Sequence, residues 1–281
     1  MSQSETDQKF AKADDLRKFA REVLTRVGVP SDHAAMTANS LVEADQRGVH
    51  THGLAYLPVY VQRLMAGGIN PAPAIRLVSE RPSTALIDGD NGLGQVVGVQ
   101  AIQLAINKAR EHGAGLVGVR NSNHFGAAAH YAMAAAREGM IGLAMSNIGP
   151  TMAPWGGITP CYGNNPISYA VPTGEAAIVL DMATSVVSRG RISAAAARGE
   201  TIPLGWACDR EGRPTQDPNL ALEGLLLPVG GYKGYGIALL IDILSGVLTG
   251  GAFGQGVGNL EPFGEPGRVG EISEENKYEL Q

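Results

Sequence analysis

Within Arg47-Gly48-Val49-His50-Thr51-His52-Gly53-Leu54, two imidazoles flank a hydroxyl immediately before a glycine. Imidazole is the side chain that both donates and accepts a proton near neutrality. The chain has only six histidines in 281 residues: His33, His50, His52, His112, His124 and His130. Two of them at alternate positions mark a candidate for acid–base chemistry. The plainer reading is a pair of polar residues where a helix gives way to a loop.

Four other segments concentrate polar groups. Asn121-Ser122-Asn123-His124-Phe125-Gly126 follows an expected strand and opens an expected helix. That would set His124 at the positive end of the helix, where the dipole favours a neutral ring and a phosphate could dock. Tyr162-Gly163-Asn164-Asn165-Pro166 packs two amides into a turn; they could serve a small polar substrate or satisfy their own backbone. Leu180-Asp181-Met182-Ala183-Thr184-Ser185 ends an apolar run with a carboxylate, and Asp181 could cap the following helix, bind a ligand, or do both. Gly230-Gly231-Tyr232-Lys233-Gly234-Tyr235-Gly236 sets one lysine among four glycines before a helix. Such a loop can turn amides and an ammonium toward an anion, or lie as a solvated turn.

The elements that must carry these segments follow from periodicity. Leu16, Phe19, Ala20, Val23, Leu24 and Val27 recur at helical spacing up to Gly28 and Pro30. Ser31 reads as the N-cap of a second helix through Met36, Leu41 and Ala44, and a third carries Leu57, Tyr60, Val61 and Leu64. Past Gly67-Gly68, Pro71 and Pro73 the pattern becomes strands alternating with helices. Strands are expected at Ala85–Asp88, Gly115–Val119, Ile141–Ser146, Ile167–Val171 and Ile178–Met182, and helices over 97–112, 127–138 and 236–248. This is an α/β core, with the prolines as a plausible boundary.

Composition narrows the class. Net charge is −5 with no basic block, which argues against nucleic acid and anionic membranes. Charged, glycine and serine residues break every apolar run well before a membrane span. Cys161 and Cys208 are too few for a disulfide framework, and the polar N-terminus carries no secretory pattern, so a cytoplasmic protein is expected. The 38 glycines sit at the ends of apolar segments, where turns and close backbone approaches need them. Gly92-Leu93-Gly94-Gln95-Val96-Val97-Gly98 has one residue too many for the dinucleotide fingerprint G-x-G-x-x-G, and no phosphate-loop motif occurs.

In order and spacing, seven motifs resemble the malate/L-lactate dehydrogenase family of the second type. They are AD-x-RG-x-x-x-HG (Ala44 to Gly53), N-x-x-HFG (Asn121 to Gly126), M-x-PWGG (Met152 to Gly157), GNNP (Gly163 to Pro166), LDMATS (Leu180 to Ser185), GWA-x-D-x-x-G-x-PT-x-DP (Gly205 to Pro218) and GGYKGYG (Gly230 to Gly236). That family includes ureidoglycolate, sulfolactate and diketogulonate enzymes and cyclic-imine reductases, and the resemblance runs from about Leu16 to Gly254. It implies a non-Rossmann mixed sheet flanked by helices with an N-terminal helical segment, a nicotinamide cofactor (NAD or NADP), a small-molecule substrate and a homodimer. The implied division is a helical segment over 8–74 carrying the catalytic histidine, a cofactor-binding core over 75–254, and an atypical tail over 255–281.

The resemblance also implies roles. His52 matches the family's proton donor and acceptor, with Thr51 supplying a hydroxyl where serine is commoner; His50 falls back to a structural residue. His124, Phe125 and Gly126 match the loop approaching the cofactor, and in some members the equivalent of His124 is itself the base. Leu180, Asp181, Met182 and Lys233 match cofactor-binding positions, and Asn164 a substrate-facing one. Three departures stand out. Tyr56 replaces an arginine that clamps a substrate carboxylate in many relatives, so a neutral phenol stands where a charged fork is common. Arg191 could restore that charge, and it lies where imine reductases tend to have an acidic residue, which argues against that branch. The Gly- and Glu-rich stretch Gln255 to Gln281 resembles no family segment and reads as a truncated or altered end, disordered in part.

The function expected is NAD(P)-dependent hydride transfer on a small 2-hydroxy or 2-oxo acid, with no metal. Two alternatives are a binding-only relative, suggested by Tyr56 and the tail, and a metal-dependent hydrolase with His50, His52, His124 and Asp181 as ligands.

Overall fold

The computed structural model describes residues 10–258 together with Phe263 and Gly264. Most of the expected tail over 255–281 and the first two residues of the expected helical segment lie outside the described residues. Three helices open the chain, α1 (Ala13–Arg26), α2 (Ser31–Gln46) and α3 (Leu57–Met65), with two single 3₁₀ turns, His50–His52 and Leu54–Tyr56, between α2 and α3. Their apolar faces meet in one cluster around Ala20, Leu24, Leu41, Tyr60 and Leu64, which continues into Leu93 and Val96 beyond the prolines. The helical segment is thereby packed directly onto the start of α4 (Gly94–His112).

Ser31 does not cap α2. It is the first helical residue, Pro30 precedes it as the cap, and its hydroxyl accepts from Arg21 Nε of α1 at 3.1 Å. Proline at the cap leaves no side-chain acceptor there, so the serine is free to tie the two helices together.

Strands β1 (Arg76–Glu80), β2 (Thr84–Asp88) and β3 (Leu116–Arg120) form a mixed sheet in that order, antiparallel between β1 and β2 and parallel between β2 and β3. Helix α4 is the crossover between the parallel pair. β1 was not legible as a strand because all five of its residues are exposed, so neither face carries an apolar alternation. A second sheet is wholly antiparallel: β4 (Gly142–Met145), β5 (Ile167–Pro172) and β6 (Ala177–Met182). Helix α5 (Ala129–Arg137) covers one face, with Ala129, Ala132, Met133 and Ala136 packed against Ala170.

The remainder comprises α6 (Arg189–Arg198), α7 (Pro218–Glu223), the two-residue strands β7 (Ala207–Cys208) and β8 (Leu225–Leu226), and α8 (Tyr232–Asp242). The apolar helix expected over 236–248 is α8 continued by a π-helical turn, Ile243–Val247. Among the described residues, no helix is long and apolar enough to cross a membrane.

The loops after β2 and β3 leave the same edge of the first sheet, at the carboxyl ends of a parallel pair, where α/β folds commonly bind ligands. They are fastened there. Asp88 accepts from Asn121 Nδ2 at 3.1 Å, and Asn123 Nδ2 donates to Asn91 O and Gly92 O, each at 3.0 Å. Gly94 completes the seat: a β-carbon there would lie 2.1 Å from Asn123 O and 2.6 Å from His124 O. The pseudo-fingerprint glycine therefore serves the approach of the histidine loop to α4. Gly94→Ala should cost roughly 1–3 kcal/mol through that overlap, read as a lower urea midpoint at unchanged m-value.

Candidate functional site

The site begins at the end of α2. Asp45 accepts the backbone N–H of Leu54 at 2.8 Å through one carboxylate oxygen, and the other meets His50 Nδ1 at 2.9 Å. Gly53 lies so close that a β-carbon on it would sit 2.1 Å from that carboxylate. The histidine motif thus needs its glycine for a close approach, since the φ of Gly53 is an ordinary −90°. Asp45 folds the chain into the two 3₁₀ turns and, in doing so, turns His50 outward as its ion-pair partner.

His52, Tyr56 and Tyr60 then follow at four-residue intervals: Tyr56 and Tyr60 share one side of the run from the second turn into α3, and the extended Gly53 sets the His52 ring beside Tyr56, 5.9 Å between centroids. They gather around His124, delivered by the loop after β3. The Tyr56 and His124 rings stack at 4.6 Å between centroids and 12° between planes, and His52 lies 5.8 Å from His124 at 23°. His52 Nδ1 meets Thr51 Oγ1 at 3.1 Å. His124 Nδ1 meets the Tyr60 hydroxyl at 2.7 Å, and that hydroxyl accepts from Gln95 Nε2 at 2.7 Å.

His124 is not at a helix N-terminus. Helix α5 starts five residues later, at Ala129. Its imidazole is nonetheless held neutral, with a pKa pushed down to about 3, and the cause is burial, reinforced by neighbouring His52 and Arg63. Burial also lowers the His52 pKa, and the Asp181 carboxylate opposes that shift. The Tyr56 and Tyr60 hydroxyls are pushed upward by burial, Tyr60 with a further push from Tyr56, and stay protonated.

The N-terminus of α5 is used by another group. Asp181, at the end of β6, accepts the N–H of Ala129 at 2.9 Å, so it serves the helix preceding it in sequence and not the following one. Burial raises its pKa, and the Ala129 amide, His52 and Arg47 pull it back down. Glu43, His130 and Arg137 pair across the α2–α5 contact. A small cavity of about 30 Å³ is lined there by residues including Arg47, His130 and Asp181.

Beyond Asp181 the strand continues as a strap that collects the remaining motifs. Asn164 O accepts from Thr184 N at 2.9 Å, and Asn164 Nδ2 donates to Ser185 Oγ at 3.1 Å. Val229 N donates to Thr184 O, and Val186 N to Leu227 O, just before the glycine–lysine loop. Trp155 packs edge-on against Tyr232 of that loop. GNNP, LDMATS, M-x-PWGG and GGYKGYG therefore meet along one backbone segment. Asn164 was expected to face substrate; it is buried (7% exposed), and its amide serves the strap. Phe125 stacks on Tyr131 at 4.8 Å, and Gly126 turns the chain with φ +77°. Leu180 and Met182 flank Asp181 on β6. Lys233 and Arg191 are exposed on the first turns of α8 and α6, and among the described residues neither has an ion-pair partner. The GWA motif is spent on folding: Asp209 holds Arg213, and Asp217 caps α7 through the N–H of Asn219.

Sequence reading missed Gln95 and Tyr60. The four-residue spacing from His52 was a usable signal for Tyr60. For Gln95 the signal was weaker, an amide on the buried side of a helix's first turn. The metal reading finds no support, since His50 is committed to Asp45, and among the described residues no three His, Cys, Asp or Glu side chains form a ligand set.

Comparison with known proteins agrees with the geometry. The family model described as malate/L-lactate dehydrogenase matches residues 11–273. A malate dehydrogenase of Pyrococcus horikoshii is 48% identical over 259 residues, 89% of this chain and 72% of that one. A ureidoglycolate dehydrogenase (NAD(+)) of Escherichia coli K12 is 39% identical over 248 residues, 88% and 70% of the two chains. The solved sulfolactate dehydrogenase of Methanocaldococcus jannaschii superposes with a TM-score of 0.86 at 44% identity, over 92% of this chain and 74% of that one.

The two half-buried histidines of the cluster set an acid limit on stability. Their folded pKa values lie below the ordinary 6.5, so the unfolded chain binds more protons and stability is lost as pH falls from about 6.5 toward about 3. His124→Gln should flatten that acid slope of the urea midpoint relative to the native chain.

Proposed function

The chain belongs to the malate/L-lactate dehydrogenase family, and on that footing we propose that it is an NAD(P)-dependent oxidoreductase interconverting a small 2-hydroxy acid and its 2-oxo acid. The observation that carries the reading is the ring cluster. A half-buried imidazole, His52, is backed by a hydroxyl and a carboxylate, beside a second imidazole held neutral.

The residues suit a nicotinamide cofactor. The near-parallel rings of His52, Tyr56 and His124 offer flat faces to a planar pyridine ring, and β6 ends in exposed apolar surface at Leu180 beside the Asp181 carboxyl. The loop His124-Phe125-Gly126 and the strand end Leu180-Asp181-Met182 would hold the nicotinamide half, and Lys233 with its glycines the anionic part. The cofactor, when bound, supplies or accepts the hydride.

The chain's own task is the proton. His52 Nδ1 is engaged by Thr51, which leaves Nε2 as the nitrogen that gives a proton to the carbonyl oxygen in reduction and takes it back from the hydroxyl in oxidation. A threonine hydroxyl can accept from Nδ1–H or donate to bare Nδ1, so it supports the ring in either protonation state. Asp181 favours the imidazolium that forms in oxidation. Tyr56 offers a neutral hydroxyl to the substrate, Arg191 is the candidate for its carboxylate charge, and Asn164 steadies the strap beneath. A cytoplasmic homodimer completes the reading; both cysteines are free thiols, which suits a reducing compartment.

His52→Ala should lower turnover by roughly 10²–10⁴ while changing NADH or NADPH affinity, followed by nicotinamide fluorescence, only a few-fold. Normal turnover in that variant would sink the assignment. Because the His52 pKa is lowered, neutral base persists below the ordinary histidine range. Oxidation should therefore hold its kcat/KM to more acid pH than an unperturbed histidine allows, and reduction should decline as pH rises through the same pKa. A screen of 2-oxo acids with both reduced cofactors identifies the substrate.

A further inference from the structure

One polar chain in the site has no counterpart among the roles assigned above. Gln95 Nε2 donates to the Tyr60 hydroxyl at 2.7 Å, and that hydroxyl lies 2.7 Å from His124 Nδ1. Both residues are buried, Gln95 completely and Tyr60 to 1% exposure. A phenol has one proton. The phenol oxygen accepts the glutamine N–H on one lone pair; were His124 Nδ1 to donate to the other, the buried phenol O–H would have no acceptor among the described residues, so the O–H is assigned to His124 and Nδ1 as the bare acceptor. The remaining ring proton is then on Nε2.

We propose that Gln95 and Tyr60 are positioning residues that fix His124 as its Nε2–H tautomer, making His124 a hydrogen-bond donor to bound substrate or cofactor while proton transfer stays with His52. The assignment deepens the reading of the site as a hydroxy-acid dehydrogenase and rests on it for what His124 donates to, but not for the tautomer.

The glutamine's orientation decides the direction of the chain, and burial decides the orientation. Gln95 Oε1 has no hydrogen-bond partner among the described residues. Turning the amide over would set its N–H groups in that uncovered place, trading an unmet acceptor for unmet donors, the costlier state for a buried group. The chain is also mechanically braced. Gln95 stands on the first turn of α4, where Gly94 receives the backbone of the His124 loop, and Tyr60 stands on α3. The groups acting on His124 from the packed elements are His52 and Tyr56 of the two turns and Tyr60 and Arg63 of α3. A histidine in this setting that stayed free to change tautomer could act as either base or donor; one with Nδ1 occupied presents a single face.

The test is ¹⁵N NMR of the imidazole nitrogens in the cofactor-free full chain, with His124 assigned by its loss in His124→Gln. The expected pattern is an unprotonated Nδ1 and a protonated Nε2 throughout the neutral range. Tyr60→Phe keeps the ring and removes the hydroxyl, and Gln95→Met keeps the bulk and removes the amide. Each should mix the tautomers and lower kcat roughly five- to tenfold, about the worth of one hydrogen bond, with cofactor KM little changed. A protonated Nδ1 in the native chain overturns the proposal, as does a native-like tautomer pattern in Tyr60→Phe. The expected pattern in a chain inactive on every 2-oxo acid would uphold the tautomer and overturn the reading of the reaction, so the two failures are separable.

Discussion

The site hangs on the carboxylate of Asp45. Through its bonds to the Leu54 amide and His50, and through the contact that only a glycine at 53 permits, it bends the end of α2 into two consecutive 3₁₀ turns. Those turns set the phase of everything after them. Tyr56 and Tyr60 share a side because the second turn runs on into α3, the extended Gly53 brings His52 beside them, and that side faces the loop after β3. A carboxylate accepting a backbone amide and an imidazole is a charge-assisted arrangement, stronger than a neutral turn of the same length. It fixes His52 through backbone geometry and leaves the neighbouring side chains to make the contacts.

Two halves of the molecule then have to be brought to the same place, and the segment from Leu180 to Ser185 does it. At one end Asp181 serves the N-terminus of α5 and lends its charge to His52. At the other, Thr184 and Ser185 receive the asparagine turn and the approach to the glycine–lysine loop. One extended segment of six residues thereby couples the imidazole cluster to the asparagine turn and the approach to the glycine–lysine loop, a connection that motif order alone does not reveal. Desolvation sets the protonation states across this region. Burial lowers the pKa of both histidines and raises that of both phenols, while neighbouring charged groups and the Gln95 hydrogen bond make smaller corrections.

Much of this was legible in the sequence, for a physical reason. Helices α1 to α5 show apolar periodicity because each buries one face, strands β2 to β6 stand out as short apolar runs, and the six histidines are scarce enough to be noticed. What was not legible depends on tertiary contact. β1 is exposed along its length, and β7 and β8 are too short to show a period. The neutral state of His124 was anticipated, but for the wrong cause, because the distance from His124 to the start of α5 is a property of the loop. The partner of Asp181 lies 52 residues away, which no local pattern reveals. Gln95 was read as part of a failed nucleotide fingerprint, when its value lies in reaching Tyr60 across the interface between α3 and α4.

The stacking of Tyr56 on His124 has a consequence for redesign. The residue proposed above to meet the substrate is also a wall of the histidine's pocket. On that reading, substrate choice and imidazole environment are one design variable. An engineer who installs a guanidinium at 56 to gain a carboxylate clamp also sets a cation beside a half-buried ring and removes its flat neighbour. Retuning this scaffold for a more acidic substrate would call for paired changes, one at 56 and one in the shell around His124, selected together.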